Sequence, residues 1–251
     1  RKDIRLGDTV KVERAGDVIP HVVSVDFKKR EKKSKKFIFP NNCPSCGSET
    51  IKEFNKTTKK HDAVRRCTNE GYDCEKIAIE KIKHFISKDA MNIDGLGKRV
   101  VENFWDLNLI RFPQDIYNLD YNKISDLEGW GDLSVSNLKY SIDQSKKVSL
   151  DKFLYAIGIR HIGIENAKLL AEYVKSIKNF INFVNKYKFN EFLNIDGIGE
   201  TQIYSLKKFF ENKSNYKIVE KLSSLLNITD LKVNKDGKLI NSTFMFTGKL
   251  E

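Results

Sequence analysis

Three regimes of hydrophobic patterning follow one another along the chain. Between residues 4 and 26 apolar and polar positions alternate, with Val10 and Val12 around Lys11 and Glu13, as on a half-buried strand. Ala15-Gly16-Asp17 supplies a turn, and Val18 to Val25 is a second run. Pro20 has no N–H to give to a ladder, so that strand is expected at an edge or with a bulge there. Two strands do not make a domain, which predicts the tail of a barrel or sheet that begins upstream. From Glu75 to about Leu226 the spacing becomes helical. Ile77, Ile82 and Phe85 share a face, as do Val100, Val101, Phe104 and Trp105; Leu169, Leu170 and Val174; and Leu206, Phe209 and Phe210. All of these are read as core. Residues 227–240 are polar and rich in Asn and Lys, and are expected to be a linker. Ser242 to Gly248 reads as one strand and a turn.

Charge and cysteine usage narrow the picture. The formal net charge is +11 and the pI about 9.3, which suits a polyanionic partner. A lysine-rich genome would give the same balance, so charge alone does not decide. Lys28 to Lys36 is a basic run, either a solvated linker or a strap along a phosphate backbone. No apolar run approaches the roughly 20 residues needed to span a bilayer, so no membrane partner is expected. Arg1-Lys2-Asp3-Ile4 has neither an initiator Met nor an apolar h-region, and reads as the cut end of a longer protein rather than a signal peptide.

The four cysteines run Cys43-x2-Cys46 and Cys67-x6-Cys74. Cys-Pro-Ser-Cys-Gly is a metal knuckle: two thiolates on a tight turn, with Gly47 relieving the backbone. The 20 residues between Cys46 and Cys67 are enough for a short hairpin. Four thiolates suit one tetrahedral Zn²⁺, and a closed site of this kind is structural rather than catalytic. No cysteine is left over for a disulfide, so a reducing cytoplasm fits. His61 and His84 are read as surface or core residues, not ligands.

A short motif then repeats. Asp94-Gly95-Leu96-Gly97, Glu128-Gly129-Trp130-Gly131, His161-Ile162-Gly163 and Asp196-Gly197-Ile198-Gly199 align on their last glycine, with spacings of 34, 32 and 36 residues. Each sets an apolar residue between small or polar neighbours, with helical pattern on both sides. Glycine brings bare backbone close to a ligand, and the helix that starts there aims unpaired N–H groups and its positive dipole end outward. A phosphate oxygen fits that site, and such contacts carry no base-sequence information. Lys98 and Arg99 favour an anion at the first hairpin. Asp132 and Glu200 oppose one at the second and fourth, and His161 replaces the first glycine of the third. The first is therefore expected to be the strongest grip.

With these residues in view, the chain resembles the C-terminal half of the bacterial NAD⁺-dependent DNA ligases. The strings that carry the resemblance are Gly7-Asp8-Thr9-Val10, Arg14-Ala15-Gly16-Asp17-Val18-Ile19-Pro20, Phe39-Pro40 leading into Cys43-Pro44-Ser45-Cys46-Gly47-Ser48, and Arg66-Cys67-Thr68-Asn69. They continue with Lys83-His84-Phe85-Ile86-Ser87, Ala90-Met91-Asn92-Ile93-Asp94-Gly95-Leu96-Gly97, Phe153-Leu154-Tyr155-Ala156-Ile157-Gly158-Ile159-Arg160 and Thr247-Gly248-Lys249-Leu250. The resemblance implies a mixed multi-domain fold. Residues 1–36 would be the end of an OB-fold with a basic linker, 37–76 a small four-cysteine zinc finger, and 77–226 an all-α helix-hairpin-helix array. Residues 227–240 would be a linker and 241–251 the first strand of a BRCT domain.

The resemblance also implies a function. Such ligases move AMP from NAD⁺ to a lysine, then to the 5′-phosphate at a nick, where the 3′-hydroxyl displaces it. This part would clamp duplex DNA, as a monomer, in the cytoplasm at the nucleoid. Arg14, Val18 and Ile19 would lie in the minor groove beside the nick, where basic and apolar groups suit groove widening. Gly95, Gly97, Lys98, Arg99, Gly129, Gly131, Gly163, Gly197 and Gly199 would contact the backbone, and Cys43, Cys46, Cys67 and Cys74 would hold one Zn²⁺. NAD⁺ and Mg²⁺ would serve the full-length enzyme without binding this segment. The enzyme's nucleophilic lysine would sit in a Lys-x-Asp-Gly motif of an adenylation domain upstream, so this segment alone would be inactive; Lys235-Asp236-Gly237 lacks the spacer and is rejected as that motif. Two other readings stay open: a non-enzymatic DNA-structure binder or repair-nuclease module built on the same hairpins, and a protein-interaction scaffold.

Overall fold

The computed structural model describes residues 2–230, apart from 17, 56–58 and 70. The residues expected to open a BRCT domain therefore lie outside the described ones. The chain divides after Thr68 into two compact units.

In the first unit, β1 (Val10–Ala15) and β2 (Ile19–Val25) pair antiparallel, from Val10 opposite Val25 to Ala15 opposite Ile19. Pro20 does not bulge the pair. It lies opposite Arg14, and the register slips between Lys11 and Val12 instead. The sheet has two strands among the described residues, so both are edges and a proline costs no shared bond where its ring nitrogen faces outward. Arg30 forks onto Asp8, with Nε and Nη2 donating to the two carboxylate oxygens at 2.8 and 2.7 Å, and also reaches Asp3 at 2.9 Å. These bonds hold both carboxyls below the usual range. Farther on, β3 (Thr50–Ile51) pairs with β6 (Arg66–Cys67), and β4 (Phe54–Asn55) with β5 (Lys60–His61). Val25 is the only buried apolar residue up to Thr68 among the described residues.

The second unit is helical and carries the main core. Its helices are α1 (Glu75–Phe85), α2 (Lys98–Asp106), α3 (Tyr121–Ser125), α4 (Asp132–Ser145), α5 (Leu150–Ala156), α6 (Ile164–Val174), α7 (Ile177–Asn185), α8 (Glu200–Glu211) and α9 (Lys213–Leu225). Phe85, Phe104, Phe153, Phe180, Phe189 and Phe192 are fully buried in one continuous core, each worth roughly 1.5–3 kcal/mol of transfer free energy. The helical face read from the sequence is the buried one for Ile82, Phe85, Val101, Phe104, Leu170, Val174 and Leu206. Ile77 and Leu169 are only half-buried, because Ala78 and Ile79 take the inner positions of α1 and Ala167 and Ala171 join those of α6.

One expectation fails at the C-terminal side. Residues 227–240 read as linker, yet Asn227–Thr229 forms a strand, β8, parallel to β7 (Lys147–Ser149), with Ile228 opposite Val148. Only Ile228 is apolar in that triplet, so no alternation announces a strand. The pairing closes the helical unit by joining segments about 80 residues apart.

Candidate nucleic-acid interface and metal centre

The four repeats fold into four hairpins of one backbone shape. The first residue of each three-residue core is left-handed: φ is 87° at Gly95, 83° at Gly129, 60° at His161 and 91° at Gly197. Glycine adopts this region freely; His161 adopts it at a steric cost of roughly 1–2 kcal/mol. The middle residue turns inward. Leu96, Ile162 and Ile198 are buried, and Trp130 is half-buried with its ring 5.5 Å from Phe104. The last glycine is extended and becomes the N-cap of α2, α4, α6 or α8. Its carbonyl accepts the first helical bond, at 3.0 Å from Val101, 3.0 Å from Val135, 2.9 Å from Ala167 and 3.2 Å from Ile203.

These glycine caps differ from those of three other helices in the unit, although Cys74 and Ser149 likewise cap α1 and α5 without a side-chain bond. Asp120, Ser176 and Asn212 cap α3, α7 and α9 by accepting from backbone N–H groups of the first turn. A glycine cap has no side chain to do this, so the first-turn N–H groups face outward for an external acceptor. A Cβ on Gly97, Gly131 or Gly163 would meet nothing within 4 Å, so the approach to each is open. The flanking charges are all exposed: Lys98 and Arg99 at the first hairpin, Asp132 at the second, Glu200 at the fourth.

Residues that motif reading missed hold the hairpins in pairs. The Asp94 N–H donates to Ser141 Oγ on α4 at 2.7 Å, which ties the first hairpin to the helix of the second. His161 Nδ1 pairs with Ser205 Oγ on α8 at 2.9 Å, which ties the third to the helix of the fourth. Lys83 donates to Glu80 and Glu102, each at 2.7 Å, and joins α1 to α2. The Lys83 ammonium therefore holds the Glu102 carboxyl below its usual range. A groove of about 510 Å³ lies between the first two hairpins, lined by Asp94, Gly95, Gly129, Trp130, Ser134 and Asn137. The Lys83–Glu102, Asp94–Ser141 and His161–Ser205 ties have no spacing signature, since each joins groups 19 to 47 residues apart.

In the first unit, Val18 and Ile19 stand 82% and 68% exposed at the β1–β2 turn. An apolar tip held in solvent, next to an exposed Arg14, has the character of a groove-inserting wedge. The basic run that follows the strands is not uniformly open. Lys28, Lys29, Lys32, Lys33, Lys35 and Lys36 carry its accessible charge, whereas Arg30 is committed to Asp8 and Asp3.

The four cysteines come together. One ligand atom from each of Cys43, Cys46, Cys67 and Cys74 lies within 4.8 Å of the others, with Cys46 Sγ and Cys67 Sγ 3.5 Å apart. A zinc with Zn–S bonds of about 2.3 Å sets its sulfurs about 3.8 Å apart, and a disulfide needs about 2.05 Å. The set fits a metal and not a crosslink. The long Cys67–Cys74 gap has a structural source: Cys67 ends β6, and Cys74 is the N-cap of α1. The histidines stay outside the set. His61 packs on Phe54 and meets the Lys52 carbonyl at 3.1 Å. His84 packs on Tyr155 and meets its carbonyl at 2.8 Å.

Comparison with known proteins agrees with this geometry. Residues 1–34 match the NAD-dependent DNA ligase OB-fold domain, and residues 152–219 match the helix-hairpin-helix motif. The chain is 63% identical over all 251 residues to a DNA ligase of Pelagibacter ubique (strain HTCC1062), covering 37% of that protein. It is 41% identical over 251 residues to a DNA ligase of Sulfurihydrogenibium azorense, covering 34%, and 40% identical over 263 aligned positions to one of Rickettsia bellii, covering 37%. The chain thus spans about a third of the length of the curated relatives it matches. No helix among the described residues is long and apolar enough to cross a membrane.

Proposed function

Taking the chain as a member of the bacterial NAD⁺-dependent DNA ligases, the family to which its OB-fold match and its relatives assign it, we propose that this part clamps duplex DNA for nick sealing. The observation that carries the proposal is the four-fold hairpin: a left-handed residue, an inward wedge and a glycine-capped helix N-terminus, repeated in one compact unit. Each open N-terminus offers N–H groups to a phosphate oxygen. Phosphate contacts position a duplex without reading its sequence. Gly97 with Lys98 and Arg99 is the principal grip; Gly131 and Gly163 are weaker ones. Arg14, Val18 and Ile19 enter the minor groove, where an apolar wedge widens it beside the nick.

Cys43, Cys46, Cys67 and Cys74 hold one structural Zn²⁺. The chemistry of the donor set supports this assignment, as does the near absence of buried apolar residues up to Thr68 among the described residues. So small a segment needs a metal to keep its fold. With all four thiolates engaged, a bound Zn²⁺ would have no open position for chemistry, and Cys43, Cys46, Cys67 and Cys74 would serve to fix their own backbone segments. NAD⁺ and Mg²⁺ would serve the full-length ligase, outside this segment. The segment works as a monomer in the cytoplasm, at the nucleoid.

Two measurements test the proposal. Fluorescence anisotropy of the chain with nicked and intact duplexes should give similar affinities, both weakened by salt, because neutralised phosphates release counterions. Strong preference for one base sequence, or affinity unmoved by salt, would overturn it. Incubation with labelled NAD⁺ should leave no acid-stable label; AMP on any lysine of this chain would show the chemistry to be misplaced.

A further inference from the structure

The residue three places after the last hairpin glycine decides whether the N–H of that glycine stands open. It is Val100 after Gly97, Ser134 after Gly131, Asn166 after Gly163 and Gln202 after Gly199. Val100 has no polar atom to offer. Asn166 turns away and donates its amide to the His161 carbonyl at 3.0 Å. Gln202 turns back, and its Oε1 accepts from the Gly199 N–H at 3.1 Å. That oxygen lies 3.5 Å from where a Cβ on Gly199 would stand, so it covers the approach that is open at the other three glycines. Among the described residues, the N–H groups of Gly97, Gly131 and Gly163 show no bond of this kind.

We infer that Gln202 is an internal substitute for phosphate. It closes the fourth hairpin, so that the backbone grip of the array is confined to the first three. This rests on the DNA-binding reading above and assigns Gln202 as the positioning residue that decides how many hairpins take phosphate. The physical case is an exchange of acceptors. An amide oxygen and a phosphate oxygen compete for one N–H, and the amide is already in place on the same helix. A phosphate that displaced it would gain no hydrogen bond in count. It would also meet the Glu200 carboxylate at the first helical position, where the first hairpin has Lys98. The fourth hairpin is therefore a packing element. Its Gly197, at φ 91° with Leu169 only 3.1 Å from its Cβ position, serves that packing.

The test opens the fourth hairpin. Because Glu200 repels an anion by itself, the comparison is made in a Glu200→Gln background, with Gln202→Ala and Gln202→Met each added. Met keeps the side-chain length without the oxygen, and circular dichroism establishes that each variant is folded. Two quantities are read: exchange of the Gly199 amide by NMR, without and with DNA, and duplex affinity. Removing the acceptor should speed Gly199 exchange in the free protein, and DNA should slow it again. One added phosphate contact should tighten Kd about tenfold, and because a backbone N–H carries no charge the slope of log K against log salt should stay nearly unchanged. Unchanged exchange and affinity, beside ordinary salt-dependent binding by the parent, would overturn the inference and leave the DNA-binding reading standing. Weaker binding would show Gln202 itself to be a DNA contact, which also overturns it. Absence of salt-dependent binding in the parent would remove the DNA-binding reading, and the inference with it.

Discussion

Gly97→Val in the complete ligase probes the first hairpin at a position whose backbone suits a side chain. The backbone at Gly97 has φ −67° and ψ 166°, an extended conformation open to any residue. A Cβ there meets nothing within 4 Å, so the new side chain starts in open space, and the capping cost of replacing an N-cap glycine is the same in the control below. What it obstructs is the outward path to the N-terminus of α2. Losing one charge-assisted contact to phosphate costs about 1.5–3 kcal/mol, or roughly 10- to 150-fold in Kd. Gly131→Val is the matched control: φ is −108° and its Cβ position is equally empty. There the exposed Asp132 already opposes a phosphate. Two unit charges about 5 Å apart repel by roughly 1–3 kcal/mol at effective dielectrics of 80 down to 20, which offsets most of what the contact contributes. The expected loss at Gly131 is then about fivefold or less. The assay is anisotropy of a nicked duplex and the sealing rate, on variants whose circular dichroism and melting match the parent. Equal losses would refute the argument that charge beside the hairpin sets its worth, and a larger loss at Gly131 would invert the ranking.

Three further outcomes follow from the same geometry. A chelator should remove one zinc per chain and abolish the ordered pairing of residues 40–74, while the helical core from α2 onward keeps its transition; native mass spectrometry that finds no stoichiometric zinc, or a disulfide among the four cysteines, would refute it. Ser141→Ala should remove the acceptor of the Asp94 N–H and lower duplex affinity about three- to tenfold, with Ser141→Thr restoring it, since a lost neutral bond costs roughly 0.5–1.5 kcal/mol; unchanged affinity would mean that the first hairpin holds its shape unaided. Burial pushes the Tyr117 phenol up to about 12. Its contribution to stability is therefore complete below about pH 10, the unfolded value, and is lost as pH rises towards 12. Urea unfolding at pH 9 and 11 should show a smaller alkaline loss for Tyr117→Phe than for the parent, and equal losses would refute the assignment.

The backbone design of the site is legible in the sequence because it is local. A left-handed position, a buried wedge and a glycine cap fall within three residues, so their spacing prints directly in the chain, and even the substitution of His161 for glycine leaves the pattern readable. The Cys-x2-Cys pair is legible for the same reason. What is not legible depends on partners distant in sequence. Ser141 on α4 gives no sign that it receives the Asp94 amide 47 residues earlier. Asn227–Thr229 is polar at two of three positions, and becomes a strand only because β7 offers an edge. Pro20 reads as an edge or a bulge, and among the described residues its strand pairs on one side only, so the choice between the two depends on the partner strand. Gln202 is the exception, a local bond at the reach-back position of a capping box, masked in the sequence because the cap is a glycine rather than Ser or Thr.

The four hairpins show why a shared backbone does not guarantee a shared grip. The left-handed residue and the inward wedge are fixed by packing, so all four repeats keep them. The first helical residue is exposed in each repeat, as Lys98, Asp132, Ile164 and Glu200, and nothing in the core constrains it. The third helical residue also differs, as Val100 packed on the core, exposed Ser134, and half-buried Asn166 and Gln202. Those two positions govern the charge and the availability of the N–H groups that a phosphate would meet. The shape can therefore persist while the binding chemistry is added or removed. The helix-hairpin-helix match over residues 152–219 illustrates the separation, because it takes in the third and fourth hairpins, with His161, Glu200 and Gln202. The first hairpin lies outside that match, and it is the one where two basic residues and an apolar third position leave the helix N-terminus open to an anion. Recognition of the motif locates the scaffold; the proposed grip rests on the chemistry of two helical positions.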